Sequence, residues 1–197
     1  MATKRNASAR KATPAKTKKS APSKRSRPAE KAGASVQPIS PCLWFDDQAE
    51  EAARFYVTVF KKAKILNVSR YPAVGQEVHH RPPGSVMTVE FRLNELTFTA
   101  LNGGPFFKFN EAVSLQVICR TQAEIDYYWA RLSEGGDERA QACGWLKDKF
   151  GLSWQVVPTG MARMMKDPKS KATGRAFGAM MQMKKLDIGK LEAAFKG

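Results

Sequence analysis

Few side chains in this 197-residue sequence could do chemistry that needs a fold to organise it. The two histidines, His79 and His80, are adjacent, so their side chains diverge and cannot converge on one ion or one proton. They lie in a Pro/Gly-rich stretch from Pro72 to Gly84 and read as solvent-facing loop residues. Asp46 and Asp47 are paired carboxylates of the kind general acid–base catalysis uses, but they directly precede an amphipathic run and read as helix-start residues. The three cysteines, Cys42, Cys119 and Cys143, are odd in number and lack CxxC spacing. Cys42 and Cys119 fall in apolar runs, and no histidine is placed to activate Cys42, so buried, inert thiols in a reducing compartment are expected. The Asn102-Gly103-Gly104-Pro105 run is a turn that could also offer backbone N–H groups to a ligand.

The elements that would position these residues follow from an internal repeat. Ile39 to Tyr56 (ISPCLWFDDQAEEAARFY) aligns without a gap on Val113 to Ala130 (VSLQVICRTQAEIDYYWA), and Glu95 to Leu101 (ELTFTAL) resembles Gly151 to Val157 (GLSWQVV). The first half reads as a strand, then a helix whose acidic start suits the helix dipole and whose Ala49, Ala52, Ala53, Tyr56 and Phe60 share one face. Strands over 64–71, 85–93 and 96–102 come next, the last two joined by a turn at Asn94-Glu95. That order is βαβββ. The second half repeats it with a shorter middle: a strand over 112–119, a helix over 121–133 with Arg120 or Thr121 near its cap, Gly135-Gly136, then strands ending at Val157. The expected fold class is α+β, with unit 1 at 38–104, unit 2 at 110–158 and short C-terminal helices over 159–197. The methionines Met161, Met164, Met165, Met180, Met181 and Met183 read as an apolar face for core or dimer packing.

Composition sets residues 1–35 apart from the domain expected over 36–197. The segment carries eleven basic residues (Lys4, Arg5, Arg10, Lys11, Lys16, Lys18, Lys19, Lys24, Arg25, Arg27 and Lys31) against Glu30, a net +10 of the chain's +15. With almost nothing apolar to bury, it reads as a disordered tail able to bind nucleic-acid phosphates without reading sequence. The sequence has no 18-residue apolar stretch, and no signal-peptide core comes after the basic segment, so a soluble, cytoplasmic protein is expected, with nucleoid association through the tail as an extension of that reading.

The openings of the two units, together with GSVMTVEF, TALNGGP, FKFNEAVS and CGWLKDKFGLSWQVVP, resemble the PhnB-like branch of the vicinal oxygen chelate superfamily, which includes glyoxalase I, extradiol dioxygenases and bleomycin-resistance proteins. The resemblance covers about residues 38–185 and implies a glyoxalase-like fold in which two curled sheets form an open cup. Members of this branch often carry the description 3-demethylubiquinone-9 3-methyltransferase; the chain lacks the Gly-rich strand-to-helix turn of a Rossmann-type methyltransferase, so that activity is not expected. In metal-binding relatives four cup residues hold a divalent ion. Carried over by the repeat, their positions are Ser40, Thr99, Ser114 and Gln155, a set without imidazole or carboxylate, so neither a metal nor another cofactor is expected. Strand alternation then lines the cup with Ser40, Cys42, Trp44, Thr99, Leu101, Ser114, Gln116, Ile118, Gln155 and Val157, a mostly apolar wall with a few amides and hydroxyls. Phe106, at its rim, stands where the resemblance would place a polar residue.

The expected function is therefore binding of a small organic ligand in the cup by a metal-free homodimer. An enzyme of the superfamily with altered ligands is the first alternative. A protein tethered to nucleic acid by its basic tail is the second, and it is compatible with ligand binding.

Overall fold

The computed structural model describes residues 39–197; the basic segment read as a disordered tail lies outside the described residues. The chain divides at Val36/Gln37, and every described element belongs to the unit Gln37–Gly197. Its first half runs β1 (Cys42–Phe45), α1 (Ala49–Val59), β2 (Ala63–Arg70), a four-residue helix α2 (Gln76–His79), β3 (Val86–Leu93) and β4 (Leu96–Asn102). Its second half runs β5 (Leu115–Cys119), α3 (Gln122–Ser133), a 3-10 turn at Glu138–Ala140, β6 (Trp145–Lys147) and β7 (Ser153–Pro158). The short helices α4 (Met161–Met164), α5 (Lys171–Met181) and α6 (Ile188–Lys196) complete the chain.

The strands form two sheets, ordered β1-β4-β3-β2 and β5-β7-β6, each with its opening strand parallel to its closing strand. This is the expected arrangement of two βαβββ-like units. The second unit is the more reduced: where a second strand would run, the described residues show only the 3-10 turn and one isolated bridge, Ala142 to Trp145. Register confirms the repeat. Cys42 pairs with Thr99 and Trp44 with Leu101 in the first sheet, and at the matching positions Gln116 pairs with Gln155 and Ile118 with Val157 in the second.

The helix face predicted for α1 is buried: Ala49, Ala52, Ala53, Tyr56 and Val59 have no solvent exposure, and Phe60 has 7%. One core draws on both halves, with Leu43, Phe45, Val89, Phe91, Phe98 and Ala100 from unit 1 and Val117, Leu146, Trp154 and Val156 from unit 2. Apart from β2, the strands alternate, so burying these residues against the helices leaves the opposite sheet faces open. The methionine-rich segment builds a smaller core around Met164, Ala176, Leu186 and Leu191, against which Met161, Met165, Met180 and Met183 pack, while Met181 stays half exposed. On the outer edge, β2 is interrupted by two register shifts, between Ile65 and Asn67 and between Ser69 and Arg70.

Candidate functional site

The residues expected to line the cup do lie on the open sheet faces, but in two groups. On the first sheet stand Ser40, Cys42, Trp44, Thr99 and Leu101. On the second, Ser114, Gln116, Ile118, Gln155 and Val157 share a face, and polar contacts link three of them: Gln155 Nε2 donates to Ser114 Oγ at 2.7 Å and Gln116 Nε2 to Gln155 Oε1 at 3.2 Å. Ser40 Oγ donates to the carbonyl of Thr97 at 2.7 Å. Trp44 and Leu101 line one cavity, whereas Gln116, Ile118, Gln155 and Val157 line another, of about 440 Å³, walled by Cys143, Trp145, Met161 and Met180. Ile118 is 55% exposed, so its face is open within the chain.

Reading only the repeated segments misses β3, which adds Thr88, Glu90 and Arg92 to the first group; Glu90 pairs directly with Thr99, and Arg92 with Thr97. The face therefore carries formal charge, from Glu90 and Arg92 of β3 and from Lys64, which pairs with Arg92 from β2. Alternation in GSVMTVEFRL was the available signal. Among the described residues no three His, Cys, Asp or Glu gather as metal ligands.

Three expectations about reactive residues change. Cys42 is exposed rather than buried, since it points away from the core face of β1; the surrounding strand still desolvates it enough to push its thiol pKa up, which leaves it protonated. Cys119 is buried as expected, and burial pushes it up to about 11. Asp46 and Asp47 do not cap α1. The Ala49 N–H donates instead to Asn102 Oδ1 at 2.8 Å, while Asn102 Nδ2 donates to the Val86 carbonyl at 3.0 Å, so one buried side chain from β4 holds the helix start and β3 together. Asp46 is taken by Arg81, whose Nη2 lies 3.0 Å from Asp46 Oδ1.

His79 is also not a free loop residue. It ends α2, is half buried and packs its ring on Tyr71 with centroids 4.5 Å apart, whereas His80 is exposed. Its Nδ1 accepts from the Arg81 N–H at 3.0 Å, which leaves Nε2 as the protonated nitrogen; that atom is buried and has no partner among the described residues. His79, Arg81, Trp44, Tyr71, Leu101 and Phe106 line a cavity of about 520 Å³ between the 72–84 loop and the Asn102–Pro105 turn. Trp44 Nε1 donates to the Gly104 carbonyl at 2.8 Å and Tyr71 Oη to the Asn102 carbonyl at 2.7 Å. Both aromatic residues thereby spend their polar atoms on the turn and present ring surface to the cavity. Gly103 is required there, because a Cβ on it would fall 2.2 Å from the Trp44 ring.

One buried polar centre binds the two halves. Asp148, 2% exposed, accepts at Oδ2 from Tyr56 Oη and Trp154 Nε1, both at 2.8 Å, and at Oδ1 from the backbone N–H groups of Phe150 and Leu152. Desolvation pushes its carboxyl above the usual range, against the pull of these four donors. With all four donors supplied by the core and by its own turn, it serves structure.

Residues 37–157 match the family model described as 3-demethylubiquinone-9 3-methyltransferase. Among solved structures, a PhnB protein from Bacillus cereus, also described as a 3-demethylubiquinone-9 3-methyltransferase, is 33% identical; the match covers 62% of this chain and all of that one, with a TM-score of 0.54. A Pseudomonas aeruginosa protein is 20% identical over 61% of this chain and 96% of its own, with a TM-score of 0.46. A glyoxylase/bleomycin resistance protein/dioxygenase domain from Frankia sp. EAN1pec is 14% identical over 63% and 93%, with a TM-score of 0.42. No curated protein matches the chain.

Proposed function

The chain belongs to the 3-demethylubiquinone-9 3-methyltransferase family in its PhnB-like form, and on that premise we propose that it binds a small organic ligand on its open sheet faces without a bound metal. The observation that carries this reading is the pair of matched cross-strand sites, Cys42–Thr99 with Trp44–Leu101, and Gln116–Gln155 with Ile118–Val157, beside cavities of about 520 and 440 Å³ respectively. Such walls combine apolar surface with a few orienting polar groups, as small-molecule sites do. Ser40, Thr99, Ser114 and Gln155 offer neutral hydroxyls and an amide, and Glu90 stands alone as a carboxylate beside Arg92, so the donor set suits an organic ligand better than a divalent ion.

In this reading a second copy closes the cup. Its second-unit face, with half-exposed Ile118, would cover the first-unit face of its partner, and the converse, giving two equal sites by symmetry. Titration with Nile red, a neutral apolar dye, tests the proposal. Saturable binding is expected, together with light scattering at roughly twice the 21.9 kDa of the chain. Ile118→Glu should lower both. Saturable dye binding by a protein that scatters as a single chain would remove the second copy from the account, and absence of saturable binding would remove the ligand site itself.

A further inference from the structure

The cavity under the 72–84 loop has a more particular chemistry than the open faces around it. Its walls are rings whose polar atoms are already used: Trp44 on the Gly104 carbonyl and Tyr71 on the Asn102 carbonyl. Exposed Phe106 forms the rim, and Phe107 supports Trp44 edge-on, with centroids 4.9 Å apart. Gly103 lies directly against the indole. No Asp or Glu lines the cavity. Its one permanently charged group is the Arg81 guanidinium, of which only Nη2 is used, on the carbonyl and carboxylate of Asp46. Nη1 and Nε have no partner among the described residues. On the same wall, His79 holds its proton at Nε2 without an acceptor.

We infer that this cavity takes a flat aromatic anion, with its ring system against Trp44 and Tyr71 and its carboxylate on Arg81. The inference rests on the first-unit face being a ligand site and names the ligand class of that site. Ring stacking favours a conjugated, planar body. Donors without acceptors exclude a cationic ligand, and a guanidinium with two donors in one plane matches a carboxylate better than a single carbonyl. Asp46 keeps Arg81 extended along the wall, so the charge is positioned before the ligand arrives.

Calorimetry of the full-length protein with three naphthalene probes tests this. 2-Naphthoate is expected to bind, 2-naphthamide about tenfold more weakly, since it offers the guanidinium one neutral acceptor in place of a carboxylate's two charged ones, and 2-naphthylmethylammonium not at all. Arg81→Met should weaken 2-naphthoate by about tenfold or more and the amide by less, so that the two then bind alike. Because Arg81 also braces the loop, Asp46→Asn gives an independent reading: it keeps an acceptor for Nη2, and with it the placement of the guanidinium, while removing the competing charge, so 2-naphthoate should bind unchanged or tighter, and weaker binding would count against the inference. Equal affinity for the acid and the amide, or 2-naphthoate binding untouched by Arg81→Met, would overturn the inference. If Nile red binds while all three naphthalene probes fail, the cavity is not the site although the sheet faces still bind; if Nile red fails too, the underlying reading falls with it.

Discussion

Replacing Tyr56 by Phe removes one hydroxyl and nothing else, and the site of that hydroxyl makes the consequence calculable. Tyr56 lies in α1 and donates at 2.8 Å to Asp148, in unit 2; both residues are essentially inaccessible to water. A hydrogen bond to a charged acceptor contributes about 1.5–3 kcal/mol net, and Asp148 keeps three other donors, so Tyr56→Phe should cost about that much. For a domain of this size that corresponds to a melting point lower by roughly 4–10 °C. Asp148→Ala should cost more than Tyr56→Phe, because it strands the Tyr56 hydroxyl, the Trp154 indole N–H and two backbone N–H groups in the core. The pH dependence gives the sharper check. The folded-state pKa of Asp148 is raised, so the contribution of this group to stability is fully present below the unfolded-chain value near 3.8 and is lost as pH rises through the folded value. Above that window the folded protein carries a buried carboxylate, and the Tyr56 hydroxyl matters most there; below it the acid is neutral and the bond is an ordinary one. Urea unfolding monitored by tryptophan fluorescence, run near pH 7.5 and near pH 4, should show the Tyr56→Phe penalty shrinking in acid. A penalty of the same size at both values, or none at either, would refute the assignment of a buried charge held by this hydroxyl.

Asn102→Ala should lower stability by about 1–3 kcal/mol in the same assay, since it uncaps α1 and removes the donor to the part-buried Val86 carbonyl. Removing residues 1–35 should leave the melting point within a few degrees of the full chain. It should also abolish a weak, sequence-independent binding to duplex DNA that fades steeply with salt, measured by a salt titration of both forms. Converting Ser40 and Ser114 to His and Thr99 and Gln155 to Glu should create zinc binding only in the dimer, because these positions fall on two separate faces of each chain; zinc bound by a monomeric form would contradict the proposed pairing of copies.

What was legible in the sequence was whatever a contiguous segment encodes. The repeat carried enough of each strand to match Cys42 with Gln116 and Thr99 with Gln155 between the two units, and strand alternation sorted open-face from core-face residues; the register that sets Cys42 opposite Thr99 and Gln116 opposite Gln155 came from the structure. The burial of Ala49, Ala52, Ala53 and Tyr56 followed from helical spacing. Illegible were the polar contacts between distant segments. Asn102 caps a helix 53 residues earlier, and Tyr56 meets Asp148 across 92 residues, distances over which no local pattern speaks. His79 looked exposed because its loop is rich in Pro and Gly, yet Tyr71 shelters its ring. The cup was expected whole because alternation says which side of a strand a residue faces and nothing of what lies opposite.

The two register shifts in β2 bear on how the protein fails when damaged. This strand is the longest outer edge, eight residues, and the shifts together with Lys64 and Arg70 make it a poor template for another chain. The opposite protection is missing at β5, an outer strand of sequence LQVIC with no charge, no proline and an exposed isoleucine. Strand-prone, uncharged edges of that kind nucleate aggregation when neighbouring structure loosens. Heat or overexpression should therefore convert the protein to insoluble material through β5, and a single lysine at Gln116 would be the most economical way to keep it in solution.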